Sequence, residues 1–164
     1  VAGIRADRRE HMRLLADAGP YPYTAAELRG EDAGSPATTS DNGSTAPFAR
    51  GMEHYAARRY ASAEPLLAQA SRAAPRDAEA AFYLGVTRLL LDRPGEAEAA
   101  LRVAVTSAPT SGLYRWYLAQ AFLRRGDGRA ALRELDRLAA GSDEFSEKAR
   151  ALRTRIRAIH YGVD

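Results

Sequence analysis

The sequence predicts an all-α chain: a short α-solenoid of three helical hairpins with a C-terminal capping helix, preceded by an N-terminal helix and an extended linker. Three observations predict it. Residues of one class recur at a spacing of 34 positions, as in Gly51 and Gly85, or Ala63, Ala97 and Ala131, or Leu67, Leu101 and Leu135. Alanine, the best helix former, dominates an apolar share of 46%. Proline and glycine punctuate the pattern at Asp92-Arg93-Pro94-Gly95 and Arg125-Gly126-Asp127-Gly128, where tight turns are expected.

The repeat comes first, because a fixed period of this length signals stacked units, none of which can bury its apolar face alone. The period predicts repeats at about 45–76, 77–110 and 111–141. Small residues at Gly85, Ala97, Ala119 and Ala131 let paired backbones approach, and leucines and aromatics fill the seams. Pro75 and Pro109 end the second helix of their repeats, since proline has no N–H to continue the ladder. The third repeat closes on Ala140-Gly141 instead. In the first repeat, Phe48, Gly51, Met52 and Tyr55 fit a first helix. Tyr60 falls one residue early, so that inter-helix turn is expected to be one residue short.

Beyond the repeats, Ser142 reads as the N-cap of a helix whose first turn holds Asp143, Glu144 and Glu147. Phe145, Ala149, Leu152, Ile156 and Ile159 give it one apolar stripe, and a capping helix is expected over 143–160. Its other face carries Lys148, Arg150, Arg153, Arg155 and Arg157, expected to be solvated or, alternatively, to meet an acidic or phosphate partner.

Residues 1–47 differ from the repeat domain at 48–160. Residues 4–18 look helical and end at Gly19-Pro20. Tyr21-Pro22-Tyr23 is extended, because residues before proline avoid the helical region. Residues 30–47 have linker composition.

Leu84-Gly85, Ala97, Leu101, Ala104 and Pro109, at these spacings, resemble the tetratricopeptide repeat over roughly residues 45–141. The resemblance implies that the first helix of each repeat lines a concave face. The first repeat would offer Ala49, Glu53, Ala56 and Ala57. The second would offer Glu79, Phe82, Val86, Leu89 and Leu90. The third would offer Leu113, Trp116, Gln120, Leu123 and Arg124. Phe82 and Trp116 fall in equivalent places, and no carboxylate clamp of lysine and asparagine is present. A protein-binding groove of Phe82, Val86, Leu89, Trp116, Gln120, Leu123 and Arg124 is the expectation, with Trp116 and Arg124 as its anchors. Two occupants stay open: a partner helix or peptide, or the chain's own arm, laid there through Tyr21 and Tyr23. In a second reading the chain is an accessory subunit anchored on a larger complex through residues 1–47.

A narrower resemblance links the prolyl-tyrosyl segment, Leu28-Arg29-Gly30 and Phe48-x-x-Gly51-Met52 to the extracytoplasmic half of bacterial zinc-finger anti-sigma-factor-like membrane proteins. It implies a periplasmic or extracytoplasmic compartment, with the cytoplasm as the alternative. No run of ~18 apolar residues crosses a membrane here. Membrane association is therefore expected only through a partner, or through an upstream anchor suggested by the start at Val1.

Little else carries chemistry. The chain has no cysteine, which excludes disulfides and thiolate metal sites. His11, His54 and His160 lie in different elements without ligand spacing, so no metal, cofactor or catalytic residue is expected. Gly126-Asp127-Gly128 is too short for a phosphate loop. Asn42-Gly43-Ser44 matches the glycosylation pattern, which is common by chance. Glu96 and Glu98 read as a helix N-terminal turn, not an acid–base pair. The net charge of +3, carried by arginine and the single Lys148, is too small for a dedicated nucleic-acid binder. The partner expected is another protein.

Overall fold

The computed structural model of the chain describes residues 2–23 and 45–161. The Leu28-Arg29-Gly30 segment, most of the 30–47 stretch, Asn42-Gly43-Ser44 and the side chain of His160 lie outside the described residues. Within them the chain forms eight helices and no strand. They are α1 (Ala2–Leu14), α2 (Thr45–Ala56), α3 (Tyr60–Ala73), α4 (Ala78–Leu90), α5 (Pro94–Ser107), α6 (Gly112–Arg124), α7 (Gly128–Ala139) and α8 (Glu144–Tyr161). From α2 to α8 each helix packs on the next in sequence. The first helices also meet directly, α4 on α6 and α6 on α8, while α1 returns to pack on α6 and α8.

Side-chain size explains the pairing. Ala63, Ala97 and Ala131 are fully buried, as are Leu67, Leu101 and Leu135. Leu67 and Leu101 of the second helices seat against Gly51 and Gly85 of their first helices. A Cβ on Gly85 would stand 2.5 Å from Leu101 Cγ, and one on Gly51 3.0 Å from Leu67 Cγ. Real Cβ atoms do not come as close as the first, so glycine sets the crossing distance of α4 and α5; the second is tight enough that Leu67 would have to give way. Caps fix where the helices start. Asp77 accepts from the amides of Glu79 and Ala80, Ser111 from Tyr114, and Asp127 from Ala130. Pro94 opens α5, where its missing N–H costs nothing.

Three sequence expectations are corrected. The helix expected over 4–18 stops at Leu14, and residues 16–23 run without helix. Asp143, not Ser142, caps α8: its Oδ1 accepts from the Ser146 amide at 2.8 Å and the Ser146 hydroxyl at 2.6 Å. The first inter-helix turn is not short. Residues 57–59, 91–93 and 125–127 separate the paired helices equally.

The central residue of each turn takes a left-handed backbone: Arg58 and Asp92 at φ 56° and Gly126 at φ 74°. Only Gly126 has the residue type suited to it. L-residues with a Cβ are strained there by about 1 kcal/mol. Arg58→Gly is therefore expected to raise stability by about 0.5–1 kcal/mol, despite glycine's extra freedom in the unfolded chain. Urea titration checks it; destabilisation would mean that the Arg58 side chain contributes a contact outweighing the strain.

Charge stitches the outer side. Arg88 of α4 reaches back to Glu64 of α3 at 2.9 Å, with side chains 19% and 18% exposed. Arg115 of α6 meets Glu134 of α7 at 2.8 Å, and Arg125, in the turn after α6, pairs with Glu98 of α5. The basic face of α8 is mostly engaged by the chain itself. Arg150 donates to the carbonyls of Ala139 and Gly141, Arg153 and Arg157 share Asp136, and Lys148 pairs with Glu144.

Candidate functional site

The face built by the first helices is where the expected site residues collect. Phe82, Val86, Leu89, Gln120 and Leu123 are all buried there. They are not an open groove. The segment Met12–Tyr23 lies over this face, from α6 and α8 toward α4 and α2. Met12 and Ala18 are buried by it, and Tyr21 and Tyr23 pack against the core. Of the two occupants left open by the sequence, the structure holds the chain's own arm.

Hydrogen bonds with Gln120, Tyr117 and Tyr55 fix the arm, and on the arm's side they use its backbone. The Asp17 amide donates to Gln120 Oε1 at 2.7 Å. The Tyr117 hydroxyl donates to the Gly19 carbonyl at 2.9 Å, and the Tyr55 hydroxyl to the Tyr21 carbonyl at 3.0 Å. An extended chain offers its amides and carbonyls sideways, and Pro20 and Pro22 favour that conformation in the residues before them. Side chains add fit. The Tyr21 ring meets Phe82 edge-on at 5.6 Å and Tyr117 at 6.4 Å; Tyr23 meets Tyr83 at 5.2 Å. Phe82 itself contacts Tyr83, Tyr114 and Tyr117. Such ring pairs are each worth about 0.5–1.5 kcal/mol beyond their burial.

Trp116 does not share this cluster. Phe82 leans toward the next first helix, α6; Trp116, one repeat on, leans toward α8 and packs on Phe145 at 6.3 Å. Equivalence in the repeat therefore places the two rings at successive junctions, not side by side. Arg124 stands beyond the rings, its Nη1 4.0 Å from Asp92 Oδ1. The residues sequence reasoning missed are Tyr55, Tyr83, Tyr114 and Tyr117. Their signal was present: Tyr83 and Tyr117 also stand one period apart. The second reading, an arm that anchors a larger complex, meets the fact that Met12–Tyr23 are engaged on their own repeats.

The arm does not satisfy every group beneath it. Gln120 Nε2 and Arg124 Nε are buried and have no hydrogen-bond partner among the described residues. A buried donor left unpaired costs about 1–3 kcal/mol. The two residues are one helical turn apart on α6. Among the described residues no group of three or more histidine, cysteine, aspartate or glutamate side chains is placed to hold a metal ion. No described helix is long and apolar enough to cross a membrane.

The tyrosines make the site sensitive to base. Burial, then the neighbouring Tyr21 and Asp17, push Tyr117 up to about 12. Burial, then Tyr117 and Tyr60, raise Tyr55 further. Burial also raises Tyr114. A pKa raised in the folded state gives stability that is complete below the unfolded value of about 10 and is lost as pH climbs toward the folded value. Ionisation would also remove the two hydroxyl donors that hold the arm. Stability is expected to stay level up to about pH 10 and to fall between about pH 10 and 12, with Tyr55→Phe and Tyr117→Phe flattening the fall. Tyrosinate absorbance followed beside helical circular dichroism checks this; tyrosines that all titrate near 10 with the helices intact would contradict it.

Residues 48–112 match the family described as tetratricopeptide repeat. The fold is also similar to that of the Yersinia enterocolitica type III secretion chaperone SycD, in a crystal structure in complex with a peptide of the translocator YopD. That match has a TM-score of 0.62 and 17% identity, covering 75% of this chain and 96% of that one. A second structure of this translocator chaperone matches at a TM-score of 0.60 and 17% identity, covering 71% and 82%. No curated protein sequence matches. The matched span takes in most of α2 and α3 to α5, so residues 48–112 carry tetratricopeptide repeats, and α6 and α7 repeat the same hairpin with the same turn.

Proposed function

We propose that this chain is a non-catalytic protein-interaction module that receives an extended polypeptide on the concave face of its repeats. One observation carries the reading: Asp17 to Tyr23 lie on that face without helix, and Gln120, Tyr117 and Tyr55 bond to the backbone of Asp17, Gly19 and Tyr21. A surface that grips a main chain and reads alternate side chains in ring-lined pockets is a peptide-recognition surface. The similar fold of SycD, solved with a peptide bound, supports it. A bacterial, extracytoplasmic setting belongs to the same reading, motivated by the resemblance that includes Leu28-Arg29-Gly30 and Phe48-x-x-Gly51-Met52; cell fractionation tests that part.

The interaction itself is tested by placing a photoreactive amino acid at Glu53 or Glu79, exposed residues of the first helices, and at Arg102 of the second helix α5 as control. Irradiation in cells is expected to give an adduct with one other polypeptide from Glu53 or Glu79 and not from Arg102. Adducts only from Arg102, or from none of the three, would count against a concave-face partner.

A further inference from the structure

We propose that Met12–Tyr23 is a displaceable occupant of the groove, and that the partner is an extended segment with two aromatic residues two positions apart and a carbonyl or carboxylate opposite Gln120 and Arg124. The inference rests on the function proposed above and specifies the partner's chemistry.

Three features of the arm say so. Its bonds to Gln120, Tyr117 and Tyr55 are made by its backbone at Asp17, Gly19 and Tyr21, so any extended chain can reproduce them. Its sequence-specific contacts reduce chiefly to Met12, Ala18 and the rings of Tyr21 and Tyr23, while Leu14 is 74% exposed. It is also an incomplete ligand. Gln120 spends its carbonyl oxygen on the Asp17 amide, and among the described residues its buried amide nitrogen has no partner, nor has the buried Nε of Arg124 one turn further on. Both are donors, so the missing complement is an acceptor. A chain that supplies it, and keeps the Tyr-x-Tyr pattern, fits this face better than the arm does.

Covalent attachment offsets the arm's poorer fit. A tethered segment meets its site at an effective concentration in the millimolar range. A free ligand therefore binds with an affinity reduced by the fraction of time the groove is open.

The test uses the full chain and, as probe, a fluorescent peptide with the sequence of residues 12–23. It is titrated into the unaltered chain and into the Tyr21→Ala/Tyr23→Ala variant, whose own arm lacks both rings. Binding to the variant is expected to be about tenfold tighter or more. In a second measurement that needs no substitution, excess peptide is expected to raise the amide exchange of Asp17 in the unaltered chain without affecting α4 or α6. Equal affinity for both chains, with Asp17 still protected, would overturn displacement and leave the interaction function standing. Binding to neither chain would overturn both. Dimerisation of the unaltered chain with exchanged arms would overturn it in favour of a second copy as occupant. For the acceptor, Gln120→Leu is expected to weaken tenfold or more a peptide whose Ala16 or Ala18 is replaced by asparagine and which binds more tightly than the parent; no such tightening from either replacement would overturn that part of the proposal.

Discussion

Phe82→Ala is expected to lower the stability of the chain by about 3–5 kcal/mol, the range for deleting a buried phenylalanine side chain. The ring is 1% exposed. It lies where α4 meets α6 and the arm, in contact with Tyr21, Tyr83, Tyr114 and Tyr117. Truncation removes its own burial and leaves four rings facing a cavity. Two of the four cannot collapse freely, because Tyr117 is held by the Gly19 carbonyl and Tyr83 by Tyr23, Phe48 and Tyr55. The whole stability of such a chain is about 5–15 kcal/mol, so the loss would be plain in the urea midpoint. Leu14→Ala is the control: that side chain is 74% exposed and its truncation should cost under about 0.5 kcal/mol. Phe82→Ala losing less than about 1 kcal/mol would mean that the ring cluster is not the junction between the repeats and the arm.

The repeats were legible because each hairpin solves the same packing problem with the same residues. Gly51 against Leu67 and Gly85 against Leu101 reappear as small against large one period apart, and that contrast survives in the letters. The first turn was misjudged because its signal is backbone, not side chain. Arg58 and Asp92 adopt the left-handed conformation that Gly126 advertises, and neither letter says so. The groove was half legible. Counting one stripe per helix found Phe82 and Trp116, but the arm covers a wider band, so adjacent residues such as Tyr83 and Tyr117 are buried as well. Pro22 announced an extended arm; its resting place joins Asp17 to Gln120 across the chain, a contact that no local pattern encodes.

Deleting residues 1–23 is expected to leave the hairpins folded but less stable by about 3 kcal/mol, and to make them self-associate. The arm supplies one fully buried methionine, worth about 1.5–3 kcal/mol, and ring contacts at Phe82, Tyr83 and Tyr117. Against this stand the two donors it leaves unpaired, Gln120 Nε2 and Arg124 Nε, which water would reach once the arm is gone. The loss is capped by the arm's own docking free energy, because an arm that detaches need not carry the repeats with it. Phe82→Ala has no such cap, since α4 and α6 need that ring in either state. The truncated chain would present Phe82, Tyr83 and Tyr117 as a continuous aromatic patch, and patches of that kind mark surfaces that seek a partner. Sedimentation should show concentration-dependent association that the peptide of residues 12–23 reverses, while the helical signal per residue of 45–161 is kept. A truncated chain that stays monomeric and as stable as the parent would mean that the arm covers nothing that needs covering, and that the face beneath it is not built for a polypeptide.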